Sequence, residues 1–248
     1  MAHPDLLSLK PHIRSSQGLA IDLDGTLMSG GRLYPDTKLF LESLEMPFMI
    51  LSNDSEHSVT ELAQVFRRQG IDLPESQFML AGVALIEEFA RTEQGARVML
   101  LGSPSIQALA ASHGLVLAEN RPTAVIVMRD PGFNYQRLAV AARALHQGAR
   151  MIVACPDTSH PGLDGYPVPE AGALAAAISA CAGIEEYRVF GKPEPTMFNL
   201  VAERLGMPSS ACAMIGDNPD TDGLGARRAG MTFHHISRPR HEILERVA

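Results

Sequence analysis

Lysine, cysteine and long apolar runs are all scarce in this 248-residue chain, and each scarcity narrows what the molecule is. Its three cysteines, Cys155, Cys181 and Cys212, lie far apart with no Cys-x-x-Cys pair. That disfavours a disulfide framework or a zinc site and fits a reducing compartment. The first twenty residues, MAHPDLLSLKPHIRSSQGLA, hold no apolar stretch long enough for a signal peptide. The most apolar window elsewhere, AGALAAAISACAG over 171–183, is too short and alanine-rich to span a bilayer. A cytoplasmic protein is expected. No basic run offsets 28 acidic residues against 21 basic ones, and the net charge of -7 disfavours nucleic acid and anionic membranes as partners. The nine histidines are scattered, and none has the spacing of a helical metal site. His57 and His160 fall in loops that approach the polar clusters described below. Of the 21 basic residues only three are lysine: Lys10, Lys38 and Lys192.

What the chain does have is alternation. Short apolar runs over 18–23, 47–51, 97–101, 123–128, 150–153, 187–190, 211–215 and 231–235 read as strands. Helix-length segments over 57–69, 82–92, 104–112, 134–146, 170–182, 195–205 and 221–229 separate most of them. This is the pattern of repeated strand-helix units on a parallel sheet, so the expected class is α/β with a doubly wound parallel sheet. Strands ending near 22, 51, 190 and 215 run directly into the polar clusters DLDGT, SNDSEH, GKPEP and GDNPDTD. Ligands bind beyond the carboxyl ends of strands in open α/β sheets, so four such clusters predict one shared site. The middle third lacks these endings and reads as an inserted second domain, with CPDTSHPGLDG as the loop facing the site.

The clusters imply a chemistry. Asp22 and Asp24 stand two apart at one strand end, and with Asp217 and Asp222 at another they offer more carboxylate than a dry pocket tolerates without a cation. Oxygen ligands with no neighbouring histidine or cysteine favour Mg²⁺ shared with a substrate phosphate. Ser52 and Asn53 precede a helix and place a hydroxyl, an amide and backbone N–H groups where an anion sits. Lys192, held between Gly191 and Pro193 in an arginine-rich chain, suggests a need for a compact point charge. A carboxylate held against a phosphate acts as a nucleophile. The spacing of Asp220 from Asp217 does not fit this set, and Asp220 reads as a helix N-cap.

The order Asp-x-Asp-Gly-Thr, Ser-Asn, Gly-Lys-Pro and Gly-Asp-x-x-x-x-Asp resembles the haloacid dehalogenase superfamily. Within it the chain is most similar to the NagD-like and p-nitrophenyl phosphatase group with a C2-type cap, over about residues 18 to 235. The resemblance implies a core formed by residues 1–79 and 183–248 with an α/β cap inserted at 80–182. It implies Asp22 as nucleophile, Asp24 as general acid and base, Ser52 as phosphoryl ligand, Lys192 as charge neutraliser, and Asn53 as a positioning group acting through its backbone. Mg²⁺ is expected on Asp22, Asp217 and the backbone carbonyl of Asp24, with Asp222 behind it near Lys192. Ser52 stands where the family often has threonine. Cys155-Pro156-Asp157 stands where relatives show Asn-Pro-Asp, and Asp157 is the expected substrate contact from the cap.

The activity implied is hydrolysis of a small phosphorylated metabolite such as a sugar phosphate, a nucleotide, pyridoxal phosphate or a phosphoglycolate-like ester. A phosphotransferase or mutase acting on phosphosugars, and a non-catalytic phosphate-sensing module, are the alternatives. Caps of this kind often dimerise, so a homodimer through the cap is also implied.

Overall fold

In the computed structural model, which describes residues 6–162 and 166–238, the apolar runs become two parallel sheets of five strands each. A single helical turn, α1 (Lys10–Ile13), leads into β1 (Gly18–Ile21), whose four residues are all buried. A small antiparallel hairpin follows, made of β2 (Met28–Ser29) and β3 (Arg32–Leu33), and then α2 (Thr37–Glu42). Next come β4 (Phe48–Ser52), α3 (Val59–Arg68) and β5 (Phe78–Leu80). Helix α4 (Ala81–Thr92) carries the chain into a second sheet through β6 (Arg97–Leu101), α5 (Pro104–Ser112) and β7 (Val116–Leu117). That sheet continues with β8 (Ala124–Val127), α6 (Tyr135–His146) and β9 (Arg150–Val153). An antiparallel pair, β10 (Ser159–Pro161) and β11 (Pro167–Pro169), precedes α7 (Ala171–Ala182) and a short strand β12 (Arg188–Val189). The chain returns through α8 (Pro195–Leu205), β13 (Cys212–Gly216), α9 (Leu224–Ala229) and β14 (Thr232–His235).

The first sheet has the order β14-β13-β1-β4-β5 and is parallel throughout, with Ile21 paired to both Ile215 and Ile50. The chain adds strands first on one side of β1 and later on the other. The connections leaving β1 and β13 therefore diverge, and a crevice opens at their carboxyl ends. The inner strands of both sheets are almost continuous apolar runs because both faces are covered, whereas the edge strands β7, β12 and β14 are partly exposed. In the second sheet, ordered β12-β9-β8-β6-β7, Val98, Leu100 and Ile126 join the apolar cluster that runs into the first sheet. Met99, Leu101, Val125 and Val127 point the other way, into a separate cluster with α6 and α7. The helices start where local chemistry dictates: the Ser58 side chain accepts from Glu61 N and the Glu61 carboxylate accepts from Ser58 N, a reciprocal cap that fixes the first turn of α3.

One expectation needs correction. The strand before Lys192 does not belong to the first sheet, as assigning 183–248 to the core implies. Arg188 and Val189 pair with Ile152 and Val153 at the edge of the second sheet. Phe190 N and Gly191 N continue this contact to the carbonyls of Val153 and Ala154 at 3.0 and 2.7 Å. Only after Gly191 does the chain cross to the first sheet. Among the described residues no helix is long and apolar enough to cross a membrane, and the three cysteines are free thiols.

Candidate active site

Asp22 is the first residue beyond β1, and its N–H still donates to Ile215 O at 2.8 Å, so the nucleophile candidate is fixed by the sheet itself. The chain then turns sharply, with Leu27 N and Met28 N both donating to Leu23 O and Gly25 N to Met28 O. Gly25 sits at φ +85°, and a Cβ there would stand 2.1 Å from Asp217 Oδ2. The β1 and β13 loops approach this closely because residue 25 has no side chain.

Lys192 is buried and bridges two carboxylates, with its Nζ 2.5 Å from Asp22 Oδ1 and 2.7 Å from Asp222 Oδ1, and it also donates to Leu51 O at 3.2 Å. Burial disfavours the ammonium, but Asp22 and Asp222 outweigh it, so the lysine stays charged far above its ordinary range. The loop that carries it, which includes a cis Lys192–Pro193 peptide, is held by Asn53. Asn53 Oδ1 accepts from Lys192 N at 2.8 Å, while its Nδ2 donates to Lys192 O at 3.1 Å and to Asp157 Oδ2 at 2.9 Å. Beyond the backbone role expected of it, Asn53 thus has a structural role through its side chain. It joins three loops, from β4, from β9 and before α8. Gly191 permits this, since a Cβ there would meet Asn53 Oδ1 and Ala154 O, each at 2.6 Å.

Ser52 is buried at the end of β4, with its Oγ accepting from Asp54 N at 3.0 Å and its O–H left to donate. Asp157 lies on the loop after β9, and burial raises its carboxyl pKa. The neighbouring Cys155 is buried, and its thiol is pushed well up by burial and by Asp157.

Asp22, Asp217 and Asp222 bring one carboxylate oxygen each within 4.8 Å of one another. Against these three negative charges Lys192 supplies one positive charge. Asp22 Oδ2 is buried with no hydrogen-bond partner among the described residues, the condition of an oxygen built to meet a cation or an electrophile. The donor set is all hard oxygen, so the residues fit Mg²⁺. Asp222 is already engaged on both oxygens, by Lys192 and by Asn218 N at 3.2 Å, so Asp22 and Asp217 are the residues that could hold a cation directly. Burial, then the charge of Asp22, raises Asp217 to about 6. Burial also raises Asp222, with Lys192 opposing. Asp24 is exposed, although the loops packed beside it desolvate its carboxylate. That crowding, with Asp22 and Asp54 adding, raises it to about 7, while His160 and Lys192 oppose the rise.

Asp220 is not the helix cap that its position suggests. Asn218 caps this segment, its side chain accepting from Asp220 N at 2.9 Å, while Asp220 is exposed. Spacing alone does not distinguish an asparagine cap from an aspartate two residues on. Sequence reasoning also passed over a charged seam at the mouth of the site. Arg129 Nη1 lies 2.9 Å from Glu56 and 3.6 Å from Glu170, and Glu170 meets His160 Nδ1 at 2.6 Å. Arg129 N donates to Ser55 Oγ at 2.9 Å, so the loop after β8 touches the loop after β4. The hint in the sequence was only that 129, 160 and 170 all follow strand ends or loops of the second sheet.

A doubly wound parallel sheet whose switch point holds a buried aspartate, a lysine locked to it and a further aspartate from the neighbouring strand has the arrangement of an α/β enzyme with its site at the carboxyl ends of the strands. More narrowly, residues 17–230 match the profile of the haloacid dehalogenase-like hydrolases, and the chain belongs to that family. It is a NagD-like phosphatase, a phosphoric monoester hydrolase. It is 28% identical over 214 residues to the dihydroxyacetone phosphatase of Corynebacterium glutamicum (strain R), covering 85% of this chain and 77% of that one. A solved structure described as a putative NagD protein superposes with a TM-score of 0.84 at 30% identity, over 89% of this chain and 88% of that one. The glycerol phosphate phosphatase of Mycobacterium tuberculosis, solved with magnesium, gives 0.82 at 25% identity, over 94% of this chain and 69% of that one.

Proposed function

We propose that this chain is a Mg²⁺-dependent phosphatase of short phosphorylated polyols and ketoses that works through an aspartyl phosphate. The observation that carries this reading is Asp22 itself: one oxygen is locked to Lys192 and the other is buried without a partner among the described residues. An Asp22 oxygen attacks phosphorus while the bond from phosphorus to the ester oxygen breaks. Asp24 gives its proton to the departing alkoxide, and a pKa of about 7 keeps that proton available near neutral pH. Water then attacks the phosphorus of the aspartyl phosphate and loses a proton to Asp24. The bond from phosphorus to Asp22 breaks, and inorganic phosphate leaves.

Ser52 donates its hydroxyl to a phosphoryl oxygen. Lys192 neutralises charge shared by Asp22 and the phosphoryl group, and Asp222 holds the lysine in place. Mg²⁺, held by Asp22, Asp217 and the Asp24 carbonyl, supplies charge neutralisation of the phosphoryl oxygens when bound. Residues 80–182 with β12 act as the cap. The loop after β9 brings Asp157 to the site, and the β10–β11 pair brings His160 to the mouth, where Asp157 and His160 meet the leaving group.

The substrate class follows from two supports. Relatives are named for dihydroxyacetone and glycerol phosphates. In addition, Arg129 and His160 at the mouth are already paired with Glu56 and Glu170, which leaves neither of them for a leaving group that carries its own carboxylate. Assay of a panel with Mg²⁺ is expected to rank triose and glycerol phosphates above phosphoglycolate. Phosphate release by the parent, abolished in Asp22→Asn, supports the reading. A panel without hydrolysis, or an Asp22→Asn variant as active as the parent, overturns it. Transfer of the phosphoryl group to an added sugar in preference to water would make the protein a phosphotransferase instead.

A further inference from the structure

Asp24 does not hold itself in place. It is exposed and precedes Gly25, whose φ of +85° lies where glycine alone moves freely. The Thr26–Leu27 peptide, one further along the chain from that glycine, is gripped from 212 residues away. Arg238, just beyond β14, donates from both Nε and Nη2 to Thr26 O at 3.0 and 2.9 Å. Its Nη1 donates to Asp36 Oδ2 at 2.9 Å, an oxygen that also accepts from Leu6 N at 2.8 Å. The guanidinium lies over the Tyr34 ring, 4.5 Å from its centroid, and the side chain is 8% exposed. A buried arginine is costly unless its planar fork is filled, and here one face stacks and all three nitrogens donate.

We propose that Arg238 is a positioning residue for Asp24, clamping both stems of the 24–36 hairpin so that the acid and base stays aimed at the ester oxygen. Thr26 lies at one stem, and Tyr34 and Asp36 lie at the other. Thr37 Oγ1, which donates to Leu27 O at 2.7 Å, and Tyr34 N, which donates to the same carbonyl at 3.0 Å, tie the stems together between these points. With those bonds intact the hairpin survives the loss of Arg238. What loosens is the Thr26–Leu27 peptide, left with only its N–H donating to Leu23 O, and with it the direction of Asp24 two residues before. The sequence is silent on this link because the partners are distant and an arginine beyond β14 carries no pattern.

The proposal rests on the reading of Asp24 as acid and base, and the test separates the two. Enzyme with Mg²⁺, in excess over 4-nitrophenyl phosphate, is followed through a single turnover, reading 4-nitrophenolate and inorganic phosphate independently. Nitrophenolate departs without a proton and so reports the attack by Asp22, whereas phosphate release needs the base. In Arg238→Ala we expect nitrophenolate release within about twofold of the parent and phosphate release slowed about tenfold, the size of effect a small misplacement produces. Arg238→Lys keeps a charge toward Asp36 without the double grip on Thr26 and is expected to split the two steps in the same direction, so the clamp stays testable if the alanine variant does not fold. Parallel loss of both steps, or loss of neither, overturns the clamp. Asp24→Asn run alongside must itself split the steps. If it does and Arg238 variants do not, only the clamp fails. If Asp24→Asn does not, the acid and base reading fails first.

Discussion

Replacing Lys192 with methionine tests two roles of one residue. Asp22 and Asp222 would face each other in a buried setting without the ammonium that now lies between them. Breaking a buried ion pair by removing one partner costs about 3–5 kcal/mol. Lys192→Met is therefore expected to unfold at clearly lower urea, and its turnover should fall by about 10²–10³, as when a transition-state donor is removed. A variant that is destabilised yet fully active would leave the lysine a structural role only. The two aspartates of the β13 loop offer a second comparison. Asp217 faces Asp22 across Gly25, whereas Asp220 points to solvent. Asp217→Ala should raise the Mg²⁺ concentration needed for half-maximal activity many-fold, and Asp220→Ala should leave it unchanged. Equal effects would mean that the carboxylates of this loop are misassigned.

At the scale of elements, the loop between β4 and α3 is organised by a single carboxylate. Asp54 accepts from Glu56 N, His57 N and His57 Nδ1, all within 2.9 Å. The Asp54 hydrogen bond and charge raise His57 to about 9 against opposing burial, and burial of Asp54 is outweighed by His57 so that its pKa is lowered. A histidine raised on folding stabilises fully below its unfolded value, about 6.5, and the gain is lost as pH climbs through about 9. The melting temperature of the parent should thus exceed that of His57→Gln most near pH 6, with the gap closing by about pH 10. The gap should be small because His57 is 44% exposed. A gap that does not change with pH would exclude the ion pair as its source. Elements such as β1, β4 and β13 were readable from sequence because strands buried on both faces are unbroken apolar runs. β12 was readable as a strand but not as a member of the second sheet, since two paired residues carry no mark of which edge they join. Asp22, Ser52, Lys192 and Asp217 follow strand ends and were found from that fact. Arg129, Glu170 and Arg238 become partners only through tertiary approach, and no local pattern announces them.

For the whole molecule, the carboxylates gathered at the switch point would tie stability to the proposed Mg²⁺. Mg²⁺ at about 100 times its dissociation constant should add about 2.7 kcal/mol to unfolding, read as a higher melting temperature, with no such gain in Asp217→Ala. A parent indifferent to Mg²⁺ would count against a metal site there. The route by which Lys192 arrives bears on engineering. Because β12 hydrogen-bonds to β9 and Gly191 to Ala154, the lysine is delivered by the sheet inserted between the two halves of the first sheet. A chimera that exchanges 80–182 for the corresponding segment of a relative, in order to change what the enzyme accepts, would cut between partners and leave β12 beside a foreign edge. Moving the downstream junction to Pro193 would transplant strand, glycine and lysine as one unit. The donor segment would then need to supply its own equivalent of Asp157 for Asn53 to hold.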